Sequence, residues 1–475
     1  MDETSVALCI DLDGTLVRSD LLVESTLRAI KDQPVAALGA VMGLFTQGRA
    51  HLKQGLANLV NLRVDLLPYN PAVLALAKTA KAAGRPVVLA TASNRKYAEQ
   101  VAQHLGLFDA VYGSDETTNL CSHAKAEQLV LHYGEGGFDY AADAAKDVEV
   151  WRHARRAIVV DPQPGVLSSL SRLGIPHDVL SRPGSRLAPL LRALRPHQWI
   201  KNALVFLPLV AAHLYLDPPA ILGAVLAFLC FSLVASAGYI INDLLDLDAD
   251  RQHVRKQRRP FACGAIPLTW GPLLIVGLTA GGVAIAALLP PLFLLVLLAY
   301  FVTTLAYSLH LKRRPTLDVM TLAGLYTLRV IGGTAAIGVA PSFWLLAFSM
   351  FLFLSLAYLK RYAELEALVR SGRDWASGRG YTVTDIELVR GLGIPAGYCA
   401  VMVLALYINS PEVRVLYQHP AVIWLICPVL LYWMARTWSI AHRGLMHDDP
   451  LVFAVANRGS QVILLVCALI LWFAI

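Results

Sequence analysis

Paired cysteines are absent. Seven cysteines are scattered from Cys9 to Cys467 with no CxxC spacing, several of them inside apolar runs, so neither a disulfide framework nor a zinc site is supported. Basic residues are absent from the opening MDETSVALCIDLDGT, where a secretory signal needs them, and its apolar part is too short for a signal core. The first domain is therefore expected to stay in the cytoplasm. Charge of either sign is absent from Pro218 to Ile241 and sparse in several later runs. With 475 residues, 56% of them hydrophobic, and a mean hydropathy of +0.54, a purely soluble protein is excluded. The net charge of +7 then reads as Lys and Arg in cytoplasmic loops, and no nucleic-acid partner is expected.

Charge returns abruptly after that run, in NDLLDLDADRQHVRKQRRP, Asn242 to Pro260. If the preceding helix continues, Asp243, Asp246 and Asp250 recur at i, i+3 and i+7 and stack their carboxylates on one side, with Asp248 turned away. Like charges so placed destabilise a helix by about 0.2–0.5 kcal/mol per pair unless a cation sits between them. Hard oxygen ligands suit Mg2+, which takes one or two carboxylates and completes its shell with substrate phosphates. His253, Arg255, Lys256, Arg258 and Arg259 follow at once. The stretch is a diphosphate site in outline, with carboxylates for the metal and cations for phosphate oxygens. A charged helix end whose acids pair with the following bases would read the same way.

Up to about Pro183 charges recur every few residues, as in a soluble domain. Val6 to Ile10 reads as a buried parallel strand opening into a turn at Asp11, Asp13, Gly14 and Thr15. Pro86 to Ala90, closed by Thr91, and Ala157 to Val160, ending at Asp161, read as two more. Helical segments at Pro71 to Ala83 and Lys96 to Leu105 alternate with them, which predicts a doubly wound α/β sheet with its site at the carboxyl edge. Leu16 to about Asn70 reads as a mostly helical insert, in which Arg49 and Lys53 are expected to be solvated surface.

DLDGT at Asp11 to Thr15, Thr91 at a strand end, Lys125, and the pair Asp143 and Asp147 together resemble the four motifs of haloacid dehalogenase-like phosphatases, in that family's order. The resemblance implies that Asp11 attacks phosphorus and that Asp13 protonates the leaving alcohol and later activates water. It implies that Thr91 and Lys125 hold phosphoryl oxygens, that Asp11, Asp143 and Asp147 bind Mg2+, and that the insert at about 16–70 is a cap. The last motif, ADAAKD, departs from the family in having Ala142 before its first Asp and Lys146 between the two acids.

Residues 184–197 form a basic segment with Leu187, Leu190, Leu191 and Leu194 set against Arg186, Arg192 and Arg195, a pattern suited to a membrane surface. Beyond it, nine apolar spans are expected near 198–216, 219–242, 268–289, 292–311, 317–338, 342–362, 391–409, 418–437 and 451–475. The basic clusters fall after every second span, which predicts cytoplasmic loops there and a C-terminus on the other side. Those loops repeat the pairing of acid and base: Lys312 and Asp318 in one, Lys360, Arg361 and Glu364 in another. Arg329 is the sole charge within the fifth span, where it costs at least about 2.5–3.5 kcal/mol unless it faces a wet cavity or an anion.

Leu194 to Ile475 resembles the UbiA-type intramembrane prenyltransferases, whose first motif is matched by Asn242, Asp243, Asp246 and Asp250. The second motif of that superfamily, DxxxD, is missing, since Asp318 has Leu322 four residues on. RPHQWIKN, YSLHLKRRPTLDV, LRVIGG and LKRYAELE look most like its polyprenyl-phosphate phosphoribosyltransferases. That resemblance implies phosphoribosyl diphosphate as donor and a polyprenyl phosphate lipid as acceptor. It implies Asp243 and Asp246 as catalytic acids, with Asp250 and Asp318 as further Mg2+ ligands. Asn242, Lys201, His253, Lys256, Arg259, Lys312, Arg329, Lys360, Arg361 and Glu364 are then substrate contacts. The expected enzyme has two domains, 1–183 and 198–475, joined by the linker 184–197. Two other readings stay open: an aromatic prenyltransferase taking a polyprenyl diphosphate, and a soluble domain that is only a scaffold or an independent phosphatase.

Overall fold

A computed structural model describes residues 6–116, 118–181, 187–372, 380–446 and 449–475. The chain divides into two compact units. One combines Met1–Ala193 with Asn242–Leu273, and the other combines Leu194–Ile241 with Leu274–Ile475. The acidic stretch therefore belongs to the same unit as the soluble domain. Part of the basic linker, 182–186 with Arg186, lies outside the described residues.

The first unit is built on six parallel strands, β1 (Ala7–Ile10), β2 (Val87–Asn94), β3 (Ala110–Ser114), β4 (Phe138–Ala142), β5 (Arg156–Val160) and β6 (His177–Leu180), in the order β3-β2-β1-β4-β5-β6. Their short apolar runs are buried on both faces, with Leu8, Ile10 and Leu89 in one core and Cys9, Val88 and Tyr140 in the other. That is what a sheet covered by helices on each side requires. The three expected strands are β1, β2 and β5; the other three were not foreseen. β1 pairs with β2 on one side and β4 on the other, so the order in which strands are added reverses beside β1. The crevice at its carboxyl end is where doubly wound sheets bind ligands.

The insert after β1 is helical, as expected: α1 (Leu21–Asp32) and α2 (Pro34–Leu59). Asp20 caps α1 by accepting from Val23 N at 3.1 Å. Gly48, at φ 83°, interrupts α2 with a left-handed residue that favours glycine. Ala29 and Ala37 pack on Leu52, Leu56 and Val60 in a small core of their own.

The acidic stretch does not continue its helix. The helix Pro218–Leu245 ends, Asp246 adopts φ −108° and ψ 21°, and a six-residue helix Leu247–Gln252 starts afresh. The expected single face of three carboxylates is broken at its middle member.

Among the described residues six helices are long and apolar enough to cross a membrane: Pro218–Leu245, Pro291–Leu309, Leu317–Ala336, Phe343–Arg370, Val383–Ile408 and Pro420–His442. The pair Pro450–Ala456 and Arg458–Ala474, bent by 78°, makes seven if taken as one span. Nine were expected. The region near 198–216 is instead a 3-10 run, Pro196–Phe206, and a five-residue helix, Leu207–Ala211, each with proline in its first turn. Trp270–Ala286 has 17 residues, about 25 Å of helix against a hydrocarbon core of about 30 Å. In the second unit Phe231, Phe293 and Tyr300 stack edge to face, and Gly332 lets Phe231 approach: a Cβ there would lie 2.5 Å from the ring.

Candidate active sites

In the first unit the chain leaves β1 at Asp11, whose amide donates to the carbonyl of Ala141 at 2.9 Å. This fixes the carboxylate at the switch point, buried to 1% exposure. Lys125 donates to Asp11 Oδ1 at 2.9 Å and to the Tyr140 hydroxyl at 2.7 Å, and lies 3.4 Å from Asp147 Oδ1. Ligand oxygens of Asp11, Asp143 and Asp147 lie within 4.8 Å of one another. The other oxygen of Asp11, Oδ2, is buried without a hydrogen-bond partner. Burial, then the nearby Asp11 and Asp147, raise the Asp143 carboxyl to about 7. A convergent, oxygen-only set that repels itself in this way fits a hard divalent cation such as Mg2+. Burial would lower the Lys146 pKa, but Asp11, Asp147, Asp13 and Asp143 together hold it above the usual lysine range.

Gly14 makes the turn possible. It sits at φ +78°, and a Cβ on it would meet Asp143 Oδ2 at 2.7 Å. Asp13 receives Leu21 N at 2.8 Å and the Ser93 hydroxyl at 2.5 Å. Burial and Asp20 raise its pKa to about 7, the range of a proton donor at neutral pH. Thr91 is buried at the end of β2 and its hydroxyl accepts from Ser93 N at 3.0 Å. Lys53 was expected at the surface. It reaches from α2 to the carbonyl of Ala92 at 2.5 Å and to Asn119 at 2.7 Å, so the cap sets a cation at the rim of this site. Burial lowers its pKa. The side chain of Arg49 lies outside the described residues.

In the acidic stretch Arg259 bridges two of the three carboxylates, at 3.0 Å from Asp243 and 2.5 Å from Asp250. Asp246 turns elsewhere and receives Lys31 at 3.1 Å. Asp243, Asp246 and Asp250 are thus held by cations of the chain and do not converge on one point as the first trio does. The donor set still fits a divalent cation by its chemistry. Asp250 is 2% exposed, and burial raises its carboxyl to about 6 although Arg259 pulls the other way. His253 accepts its own turn's amides, Arg255 N at 3.2 Å and Lys256 N at 3.4 Å, and both His253 and Lys256 are exposed.

The second unit brings its own charges together in two groups. Asp449 is held by Lys201 at 2.8 Å, Lys360 at 2.8 Å and the Tyr326 hydroxyl at 3.2 Å. Burial would raise the Asp449 carboxyl, but Lys360 and Lys201 hold it well below the usual range. Arg329, expected to face an anion or water, is satisfied by neutral groups: Asn202 at 2.8 Å, the Leu325 carbonyl at 2.6 Å and the Tyr300 hydroxyl at 2.8 Å. In the other group Arg361, 1% exposed, pairs with both oxygens of Asp318, with Glu364, and with the Tyr307 hydroxyl at 3.0 Å. Asp318, expected as a metal ligand, is engaged by a guanidinium instead. Lys312 is buried at the same connection, and Asn242 is half-buried in the last turn of its helix. Beside Lys201 an apolar groove of about 300 Å³ is lined by Ile200, Leu204, Leu207, Val210, Leu451 and Val455.

Residues 203–473 match the UbiA prenyltransferase family, more than half of the chain. The chain belongs to that family. Residues 8–157 match haloacid dehalogenase-like hydrolases, so this UbiA-family enzyme carries a phosphatase-type domain, and its apolar helices make it an integral membrane protein. A Sinorhizobium fredii protein described only as uncharacterized protein y4nM is 37% identical over 97% of this chain and 89% of its own length. Decaprenyl-phosphate phosphoribosyltransferase of Mycobacterium tuberculosis is 37% identical over 46% of this chain and 74% of its own. Among solved structures, a UbiA homolog from Archaeoglobus fulgidus bound to GPP and Mg2+ is 20% identical, with a TM-score of 0.46 over 60% of this chain and 98% of that one.

Sequence reasoning missed Asp449 in this UbiA-family chain. Its one local signal is Asp before Pro450 at a helix start, and its side chain does accept from Leu451 N at 3.2 Å. That pattern announces a helix cap and says nothing of two lysines.

Proposed function

We propose that the chain is a membrane polyprenyl-phosphate phosphoribosyltransferase using phosphoribosyl diphosphate, fused to a phosphatase that removes the 5-phosphate from its lipid-linked product. The division is 1–183 for the phosphatase, 184–197 for the linker and 198–475 for the transferase, with both sites on the cytoplasmic side of the membrane. The observation that carries the reading is the set of cations in the membrane unit, Lys201, Arg329 and Arg361 buried and Lys360 half-buried, gathered in two groups. This is cation chemistry suited to a sugar bearing an extra phosphate, in a chain that lacks the second DxxxD motif. The similarity to decaprenyl-phosphate phosphoribosyltransferases supports the donor.

Asn242, Asp243, Asp246 and Asp250 would hold Mg2+, whereas Asp318, engaged by Arg361, is not used as a ligand. Bound there, the ion would neutralise the departing diphosphate. His253, Lys256 and Arg259 are the groups for diphosphate oxygens in the first unit, and Lys312, Lys360, Arg361 and Glu364 are the groups for a phosphorylated sugar in the second. The acceptor phosphate is already ionised and needs no general base. Lys201 draws it to the mouth of the apolar groove, which takes the polyprenyl chain, while Arg329 holds Asn202 and Tyr300 beside it.

In the phosphatase, Asp11 attacks phosphorus as the bond to the sugar oxygen breaks, and Asp13 gives that oxygen its proton. Asp13 then takes a proton from the water that hydrolyses the phosphoaspartate. Thr91 and Lys125 hold the phosphoryl oxygens. Asp11, Asp143 and Asp147 would hold Mg2+, which screens the phosphate charge from the attacking carboxylate.

The test is a mass measurement on lipid extracted after incubation with phosphoribosyl diphosphate and polyprenyl phosphate. Wild type is expected to yield inorganic phosphate and the dephosphorylated lipid, and Asp11→Asn to accumulate polyprenyl-phosphoryl-5-phosphoribose. The same phosphorylated lipid from both proteins would remove the phosphatase half of the proposal. Transfer from a polyprenyl diphosphate to an aromatic acceptor, with no product from phosphoribosyl diphosphate, would remove the other.

A further inference from the structure

Helix α1 carries Glu24, Arg28 and Lys31 at i, i+4 and i+7, on one side of the helix. None of the three takes part in the phosphatase chemistry above. Within the same compact unit each ends on the acidic stretch. Glu24 grips Arg251 with both oxygens, at 2.6 and 3.0 Å, and the two side chains are each 5% exposed. Arg28 pairs with Asp248. Lys31 donates to Asp246 at 3.1 Å and to the carbonyl of Leu245 at 2.7 Å. Three charges on α1 meet three of opposite sign.

The other end of α1 stands at the phosphatase centre. Its first amide, Leu21 N, holds Asp13 Oδ1 at 2.8 Å. Gly14 N donates to the Ser19 carbonyl at 3.2 Å, and the Ser19 hydroxyl donates to Glu24. Glu24 is therefore shared between the loop that bears Asp13 and the arginine of the acidic stretch.

We propose that α1 couples the two active sites: Lys31 is the resident cation of Asp246, a divalent ion and Lys31 exclude each other there, and metal loading therefore loosens the C-terminal end of α1, leaving Arg28 on Asp248. The inference rests on reading Asp243, Asp246 and Asp250 as metal ligands. An ammonium and a divalent cation on one carboxylate repel. Arg259, which bridges Asp243 and Asp250, opposes loading in the same way but belongs to the stretch itself, so only Lys31 transmits the event to the cap. The Glu24 and Arg251 pair is the buried anchor about which α1 moves. Linkage is reciprocal, so a seated α1 weakens metal binding by the factor that metal weakens the seating.

The test uses the full chain in detergent micelles, with Asp143→Asn present throughout to remove a ligand of the other trio, and Mn2+ alone as probe. Replacing Lys31 by Met is expected to tighten Mn2+ binding about three- to fivefold, the worth of an ion pair still reached by water, its side chains 23% and 20% exposed, and Lys31→Arg is expected to keep the parental affinity. In the parent, Mn2+ should speed amide hydrogen exchange in 26–32 while leaving β1 unchanged. Equal affinity in all three proteins, with exchange in α1 indifferent to Mn2+, overturns the coupling but leaves the metal site standing. Failure of all three to bind Mn2+ overturns both the coupling and the metal reading of the acidic stretch. If Lys31→Met does not fold, the exchange measurement on the parent decides alone.

Discussion

Gly14→Ala separates a strained turn from a damaged site. At φ +78° an L residue pays about 1–2 kcal/mol for the left-handed conformation. The added methyl would also stand 2.7 Å from Asp143 Oδ2 and 2.8 Å from its Cγ, so the carboxylate must rotate away. Doing so breaks its contacts with Gln163 at 2.9 Å and Thr15 at 3.4 Å and takes one oxygen out of the trio. Disturbing the support of a metal ligand costs about 10- to 100-fold in metal affinity. Gly106→Ala is the control: it has φ +63° and nothing within 4 Å of the new methyl, hence the same strain without the clash. Mn2+ titration, phosphate release from p-nitrophenyl phosphate and thermal unfolding are measured on both. Both variants are expected to lose comparable stability, and only Gly14→Ala to lose metal affinity and turnover. Should the two behave alike in metal affinity, the close approach of Gly14 to Asp143 has no part in building the site.

Asp139→Asn should destabilise the sheet by about 3 kcal/mol near neutral pH, since it strands Arg85 and Arg155, which now bind Asp139 at 2.6–2.8 Å. Burial pushes that carboxyl up but the two guanidiniums hold it below its usual value. The stabilisation is therefore full above the unfolded pKa of about 4 and fades as pH falls through the lower folded one, so the two denaturation curves should converge only in acid. Asp246→Asn is expected to abolish lipid glycosylation while shifting the melting temperature little; wild-type turnover would make the acidic stretch structural. A cysteine at Arg258 should react with impermeant reagents only from the cytoplasmic side, and labelling from the other side would reverse the topology.

The soluble fold was legible wherever the signal was local. β1, β2 and β5 are apolar runs that end in Asp11, Thr91 and Asp161, so strand and motif announce each other. β4 was not legible, because FDYAA places a carboxylate mid-strand, and its cancelling partners Arg85 and Arg155 come from other strand ends. β3 and β6, only half-buried, carry weaker apolar patterns. Among the membrane helices, hydropathy counted Trp270–Ala286 and the region near 198–216 as spans. Composition does not report that the helix of one has only 17 residues and that the other is a 3-10 run and a five-residue helix, each with proline in its first turn.

At the sites, residue type was legible and partnership was not. The sequence places Asp243, Asp246 and Asp250 beside five bases, which is equally the pattern of a metal site and of a charged helix end pairing with its own neighbours. Arg259 between Asp243 and Asp250 is the second pattern, realised. It does not remove the first. Asp250, at 2% exposure, is costly to leave ionised without a counter-cation, so resident cations are what a metal site there needs between turnovers. What decides between the readings is where the displaced cations go. Arg259 is 23% exposed and Lys31 likewise 23%, so each reaches water on release. On the metal reading, the pair of Glu24 with Arg251, each 5% exposed, is expected to stay in place and keep the carboxylates within reach of an incoming ion.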